Sequence, residues 1–304
     1  MFRVYPEAAN SRRGSVTPVV RCVLTTLLVA AWAAVSAAGE STKKTPSIQE
    51  AADAFVSGSY RIQLWRFEPA ATGKYPAVLL LPGIDGLKGC QEQLACVARR
   101  LTSKGYAVFL VNYLDRTVPA GKAAPEIKDQ LKNWLQYAAV EEQRQKLRIH
   151  FESWMTAVRD ALSYVRRQPA VDATRVGLVG LSLGGYLAMS VAAEKDIKVS
   201  AVVECFGGLE TEVTRDIKGM PPTLLIHDEK DPTVPVKEAY ALLGRLVAGN
   251  IPHEFQIYTG VGHVFMDAKG NFNVFAALNA ESRTVRFLEK YLKGPSLASA
   301  DPRP

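Results

Sequence analysis

Apolar residues along this chain fall in short runs separated by polar or turn-forming stretches. The clearest are residues 77–81 (Ala-Val-Leu-Leu-Leu), 107–111 (Ala-Val-Phe-Leu-Val), 176–179, 199–205 and 223–227, with a weaker run at 254–258. Runs this short, bounded by Gly, Pro or charged residues, predict strands buried on both faces. Residues 59–67 alternate more and predict an edge strand. Between the runs the spacing turns helical, at 92–104 (closed by Gly105), from about 151 to 167, after residue 182, and over 236–246. Strand and helix alternating in this way predict an α/β fold: a mostly parallel central sheet with helices on both faces. No internal repeat is evident, and 304 residues with 48% in the hydrophobic set suffice for one large core.

The chemistry enters at Gly180-Leu181-Ser182-Leu183-Gly184-Gly185, which follows the run at 176–179 and opens a small-residue helical stretch. Strand, sharp turn, serine, helix is the order of the nucleophile elbow in α/β-hydrolases. Glycines flank the serine because a Cβ there would strike the adjoining strand or helix backbone. Further along, Asp231 lies on a loop just past the run at 223–227, and His263 lies in a glycine-flanked loop after the run at 254–258. Nucleophile, acid, histidine is the chain order this fold uses. Asp228 and Glu229 are rival acids, and Asp231 before Pro232 also suits an ordinary turn. Among the four histidines, His227, His150 and His253 compete with His263. Ser182 as nucleophile, His263 as base and Asp231 as its orienting acid form the candidate triad. The run at 77–81 ends in Pro82-Gly83-Ile84-Asp85-Gly86, whose glycines let the backbone turn its amides toward the site. The N–H groups of Ile84 and Leu183 are the candidate oxyanion hole, the alternative being a plain glycine turn. Right-handed crossovers would bring all these strand ends to one edge of the sheet.

Residues 116–150 break the alternation. They open with Pro and Gly and become a charged amphipathic helix over 126–146 that carries Trp134 and Tyr137. Placed between a core strand and a core helix, the segment predicts a small cap over the catalytic edge. Trp134 and Tyr137 are candidates to line an acyl or aromatic pocket, or else form the packing face of that helix. Arg116 either offers the substrate a positive charge or is a solvated loop residue.

The elbow, the Asp231 loop, the His263 loop and residues 154–185 together resemble the dienelactone hydrolase family of α/β-hydrolases. The resemblance covers roughly residues 60–292. Its most specific parts are Ala161-Leu162-Ser163-Tyr164-Val165-Arg166-Arg167-Gln168-Pro169 leading into the strand before Ser182, and Asp228-Glu229-Lys230-Asp231-Pro232-Thr233-Val234-Pro235. It implies hydrolysis of esters or lactones without metal or organic cofactor. Three positions depart from the founding members. They use a cysteine nucleophile where Ser182 stands, a glutamate where Gly83 stands, and, four residues after the histidine, a substrate-gripping arginine where Asp267 stands. The chain therefore resembles a serine variant of the family, and a carboxylate at Asp267 would repel an acidic lactone.

Composition adds a compartment. Arg12, Arg13 and Arg21 precede an apolar stretch at 23–34, and Val35-Ser36-Ala37 offers the small residues a signal peptidase reads. Residues 1–37 are expected to be a cleaved export signal to a periplasm or the exterior. A twin-arginine signal and an uncleaved anchor are the alternatives, the apolar stretch being short of the ~20 residues that span a bilayer. Residues 38–55 read as a flexible lead, 56–293 as one hydrolase domain and 294–304 as a flexible tail. Without residues 1–37 the formal charge falls from +7, and the remaining excess is spread rather than blocked, so it gives no argument for nucleic acid, and no nucleic-acid partner is expected. Cys90 and Cys96 pair if Cys90 precedes the helix that Cys96 enters, and cannot pair if both lie on that helix; Cys205 reads as a buried packing residue. No Cys or His spacing suggests zinc. The expectation is thus an exported serine hydrolase acting on a small ester or lactone, with a prolyl-oligopeptidase-like peptidase and a non-catalytic binding protein as rivals.

Overall fold

The computed structural model describes residues 47–87, 91–117, 141–210, 216–267 and 269–294. Eight strands form one sheet: β1 (Ile48–Ser57), β2 (Tyr60–Pro69), β3 (Tyr75–Leu81), β4 (Ala107–Val111), β5 (Val171–Leu181), β6 (Ala201–Cys205), β7 (Thr223–Asp228) and β8 (His253–Tyr258). Their order in space is β1-β2-β4-β3-β5-β6-β7-β8. The pairs β1/β2 and β2/β4 are antiparallel, and all the others are parallel. Among the described residues the α-helices are α1 (Gln91–Ser103), α2 (Glu141–Arg166), α3 (Leu183–Ala192), α4 (Lys237–Ala248) and α5 (Val274–Leu288).

Central strands are apolar at nearly every position because helices cover both faces. Every residue of β4, β6 and β7 is buried. The two faces make two cores. Leu79 and Leu81 point to the side of Trp154, Leu187 and Leu242, whereas Val78 and Leu80 meet Leu94, Ala98 and Phe287. Each fully buried aliphatic side chain there contributes roughly 1.5–3 kcal/mol.

The structure corrects the sequence reading in three places. The expected lead over 38–55 is in part a strand, since Ile48–Ser57 forms the sheet edge and leaves β2 second from the edge. Residues 146 and 151, expected on separate cap and core helices, lie on one continuous helix, Glu141–Arg166. Helix α5 follows the histidine loop and was not anticipated. It begins at the N-cap Asn273, whose side chain accepts the Ala276 N–H, and it buries Ala276, Ala277, Ala280, Phe287 and Leu288. The export segment, the 294–304 tail beyond Gly294, Cys90, and most of the expected cap, Trp134 and Tyr137 included, lie outside the described residues. Cys96 is a free thiol, and Cys205 is buried as expected.

Candidate active site

Ser182 sits between the end of β5 and the start of α3 with φ 53° and ψ −118°, a backbone conformation that costs a non-glycine residue about 1–3 kcal/mol. Its surroundings hold it there. The Ser182 N–H donates to the Cys205 carbonyl at 2.8 Å, and the Ser182 carbonyl accepts from Gly185 N at 2.8 Å and Tyr186 N at 3.2 Å. A Cβ on Gly180 would collide with the Gly184 carbonyl, and one on Gly184 would enter the Leu81 and Pro82 carbonyls. Strand, helix and the neighbouring loop are therefore packed backbone to backbone around the serine.

Two other strand ends deliver its partners. His263 Nε2 lies 3.0 Å from Ser182 Oγ, and His263 Nδ1 lies 2.7 Å from Asp231 Oδ2. The other Asp231 oxygen accepts the Thr233 and Val234 N–H groups at 2.7 and 2.9 Å. The Asp231 side chain is wholly buried, and that of His263 is 18% exposed. With its charge stabilised by two amides, the carboxylate fixes the tautomer bearing hydrogen on Nδ1, which leaves Nε2 as the acceptor facing the serine hydroxyl. Parallel strands set at neighbouring register place all three residues at one edge of the sheet.

The loop after β3 closes over the same hydroxyl. A Cβ on Gly83 would stand 3.4 Å from Ser182 Cβ and 4.0 Å from Ser182 Oγ, so this residue faces the serine directly. The turn is shaped by Gly86 N donating to Gly83 O at 2.9 Å and steadied by the Tyr113 hydroxyl donating to Pro82 O at 2.7 Å. The amides of Ile84 and Leu183 find no acceptor among the described residues. For Leu183 the reason is general, since the first N–H groups of a helix have no partner within it.

The remaining candidates go elsewhere. Arg116 donates to the Ser57 carbonyl and hydroxyl at 2.5 and 2.8 Å and lies over the Tyr60 ring. It fastens the β1–β2 hairpin, because the hairpin turn offers it a carbonyl and a hydroxyl that need a donor. Asp267 accepts from Lys269 N, Asn271 N and Asn271 Nδ2 at 2.8–2.9 Å, so its carboxylate closes its own turn. His227 is buried and neutral: desolvation lowers its pKa, and Nε2 bonds the Val234 carbonyl at 3.0 Å. His150 stacks on Trp154, and His253 bonds the Ile251 carbonyl. The Glu229 carboxylate accepts from the Thr259 hydroxyl at 3.2 Å.

Sequence reasoning missed two supports. Asp228, weighed only as a rival acid, accepts Val261 N at 3.3 Å and Gly262 N at 3.0 Å and so fixes the loop that carries His263. Its place at the end of an otherwise apolar strand was the available signal. Phe206, held at φ 57°, packs its ring 5.9 Å from the His263 ring and 4.8 Å from Phe265. Among the described residues no group of three or more His, Cys, Asp or Glu side chains is placed to hold a metal ion.

The model of the dienelactone hydrolase family matches residues 62–292. A probable 2-oxo-3-(5-oxofuran-2-ylidene)propanoate lactonase from a Bradyrhizobium species is 27% identical over 242 residues, 74% of this chain and 88% of that protein. The crystal structure of a dienelactone hydrolase-like promiscuous phosphotriesterase from metagenomic libraries superposes with a TM-score of 0.63 at 18% identity, covering 81% of this chain and 99% of that one. An acylaminoacyl peptidase from Pyrococcus horikoshii has a TM-score of 0.56 at 19% identity, covering 81% of this chain but 42% of its own.

Proposed function

Since this chain belongs to the dienelactone hydrolase family, we propose that it is a serine hydrolase that opens a small carboxylic ester or lactone through an acyl-enzyme. The observation that carries the reading is the unbroken chain of contacts from Ser182 Oγ through His263 to Asp231, at 3.0 and 2.7 Å. In the first half-reaction His263 Nε2 takes the Ser182 proton as Oγ attacks the acyl carbon. Asp231 holds the ring and stabilises the imidazolium. Charge developing on the carbonyl oxygen falls between the free amides of Ile84 and Leu183, where losing one such donor typically costs about 3–4 kcal/mol. His263 returns the proton to the departing alkoxide, which for a lactone stays attached to the acyl group. Water then attacks the acyl-serine with the same base.

A lactone or simple ester suits the family and the name of the Bradyrhizobium relative. Residues 1–37, basic and then apolar before Val35-Ser36-Ala37, support export with cleavage near residue 37. N-terminal sequencing of the mature protein should read from residue 38 or 39, and an intact Met1 would remove the cleaved-signal reading.

The test is hydrolysis of short p-nitrophenyl esters and of a γ-lactone by the protein lacking residues 1–37, beside Ser182→Ala. Turnover and fluorophosphonate labelling by the parent, both lost in the variant, are expected. Cleavage of amides as readily as matched esters would favour a peptidase, and absence of both turnover and labelling would favour a binding role.

A further inference from the structure

The reaction just described leaves one buried acid unused. Glu204 is the penultimate residue of β6, paired across the sheet with Gly180 of the elbow strand and with Leu225 of β7. It is fully buried in a strand otherwise made of Ala, Val and Cys. Its Oε1 accepts the Gly207 N–H, whereas Oε2 is buried with no hydrogen-bond partner among the described residues. No lysine or arginine pairs with it among those residues.

The carboxyl fills the wedge between the serine's helix and the loop leaving β6. A Cβ on Gly185 would stand 3.0 Å from Oε1. One on Gly207 would stand 2.7 Å from Oε1 and equally 2.7 Å from the Ser182 carbonyl. Glu204 thus touches the first turn of α3 on one side and, through the Gly207 amide, fixes the loop that presents Phe206 to His263 on the other. The titratable groups facing it are Asp231 from the loop after β7, Tyr186 from α3 and Cys205 from β6, none of them a cation.

We propose that Glu204 is a positioning residue that works as a neutral carboxylic acid, holding the Phe206–Gly207 loop against the elbow, and that its ionisation switches the site off. The inference rests on the serine-hydrolase reading above. As an acid it places no charge behind the oxyanion amides. Once ionised, with Asp231 nearby and no cation to balance it, it opposes the negative oxygen that the Ile84 and Leu183 amides must stabilise. Burial, reinforced by the Asp231 charge and offset in part by the Gly207 bond, raises its pKa to about 8. The switch therefore falls on the alkaline side of neutrality.

The experiment measures kcat and KM against pH for the protein lacking residues 1–37, Glu204→Gln and Glu204→Ala, with side-chain carboxyl 13C NMR on glutamate-labelled protein. The glutamine keeps an acceptor for Gly207 N–H and cannot ionise. The parent should lose kcat on the alkaline side with a midpoint near 8 while KM moves little. Glu204→Gln should retain near-neutral turnover within about threefold and extend its plateau by about one pH unit or more, whereas Glu204→Ala should lose about tenfold or more in kcat across the range. One carboxyl resonance, absent in Glu204→Gln, should titrate with the same midpoint. An active parent whose alkaline limb survives in Glu204→Gln, or a Glu204 resonance titrating in the ordinary carboxylate range, would overturn the inference. A parent with no turnover but a raised Glu204 resonance would instead count against the hydrolase reading.

Discussion

At the residue scale the geometry makes the roles of near neighbours separable. Asp231 Oδ1 is committed to two backbone amides, so in Asp231→Asn the carbonyl oxygen takes that place and the amide NH2 faces His263 Nδ1. The imidazole must then carry its hydrogen on Nε2, pointing at the serine, where it cannot accept a proton. A fall in kcat of about 10³–10⁴ with unchanged thermal stability is expected, measured by ester turnover and a melting curve. Gly184→Ala should fail differently. Its Cβ meets the Leu81 and Pro82 carbonyls, backbone that cannot yield, and a loss of about 3 kcal/mol or more in urea unfolding is expected. Ser182, Asp231 and His263 were legible in the chain because their chemistry is tied to strand ends that the apolar runs mark. The part played by Asp228 was not, because it acts on a loop more than thirty residues away in sequence.

At the element scale the β1–β2 hairpin shows how an outlying piece is tied to the core. Ser57 Oγ donates to Asp160 of α2 at 2.5 Å, Arg116 reaches Ser57 from the turn after β4, and Trp154 Nε1 of α2 bonds Thr117 Oγ1 at 2.6 Å. Arg116→Ala should therefore lower stability by about 1–3 kcal/mol with KM unchanged, the opposite of what a substrate-binding arginine would give. Removing 1–57 takes away β1 and exposes the edge of β2, and should cost several degrees and promote aggregation in light scattering. The central strands were readable because burial on both faces writes a continuous apolar run. β1 was not, because an edge strand facing solvent carries alternating and charged residues that look like a linker.

At the scale of the whole molecule, Glu204 couples folding to pH. Its pKa is 4.5 in an exposed setting and about 8 when folded. Between those values the folded protein holds a proton that the unfolded chain has released. Stability therefore falls as pH rises through that window and is flat above it, the reverse of the usual paired carboxylate. Urea midpoints measured across the window should decline more in the parent than in Glu204→Gln, the difference between the two slopes isolating this one group from His227 and the surface acids.

The sequence by itself determined the alternation of strand and helix, the parallel sheet, and the three side chains of the candidate relay with their chain order, because these rest on local signals: apolar runs, glycines at a sharp turn, polar residues at strand ends. Tertiary structure alone decided that Arg116 braces a hairpin, that Gly83 faces the serine and that Asp228 holds the histidine loop. It also decided that the Glu204 carboxyl is buried behind the elbow, against Gly185 and Gly207. Hydrogen bonds join whichever donor and acceptor the fold brings within reach, and for Arg116 and Asp228 the partner arrives from a part of the chain that no local pattern names.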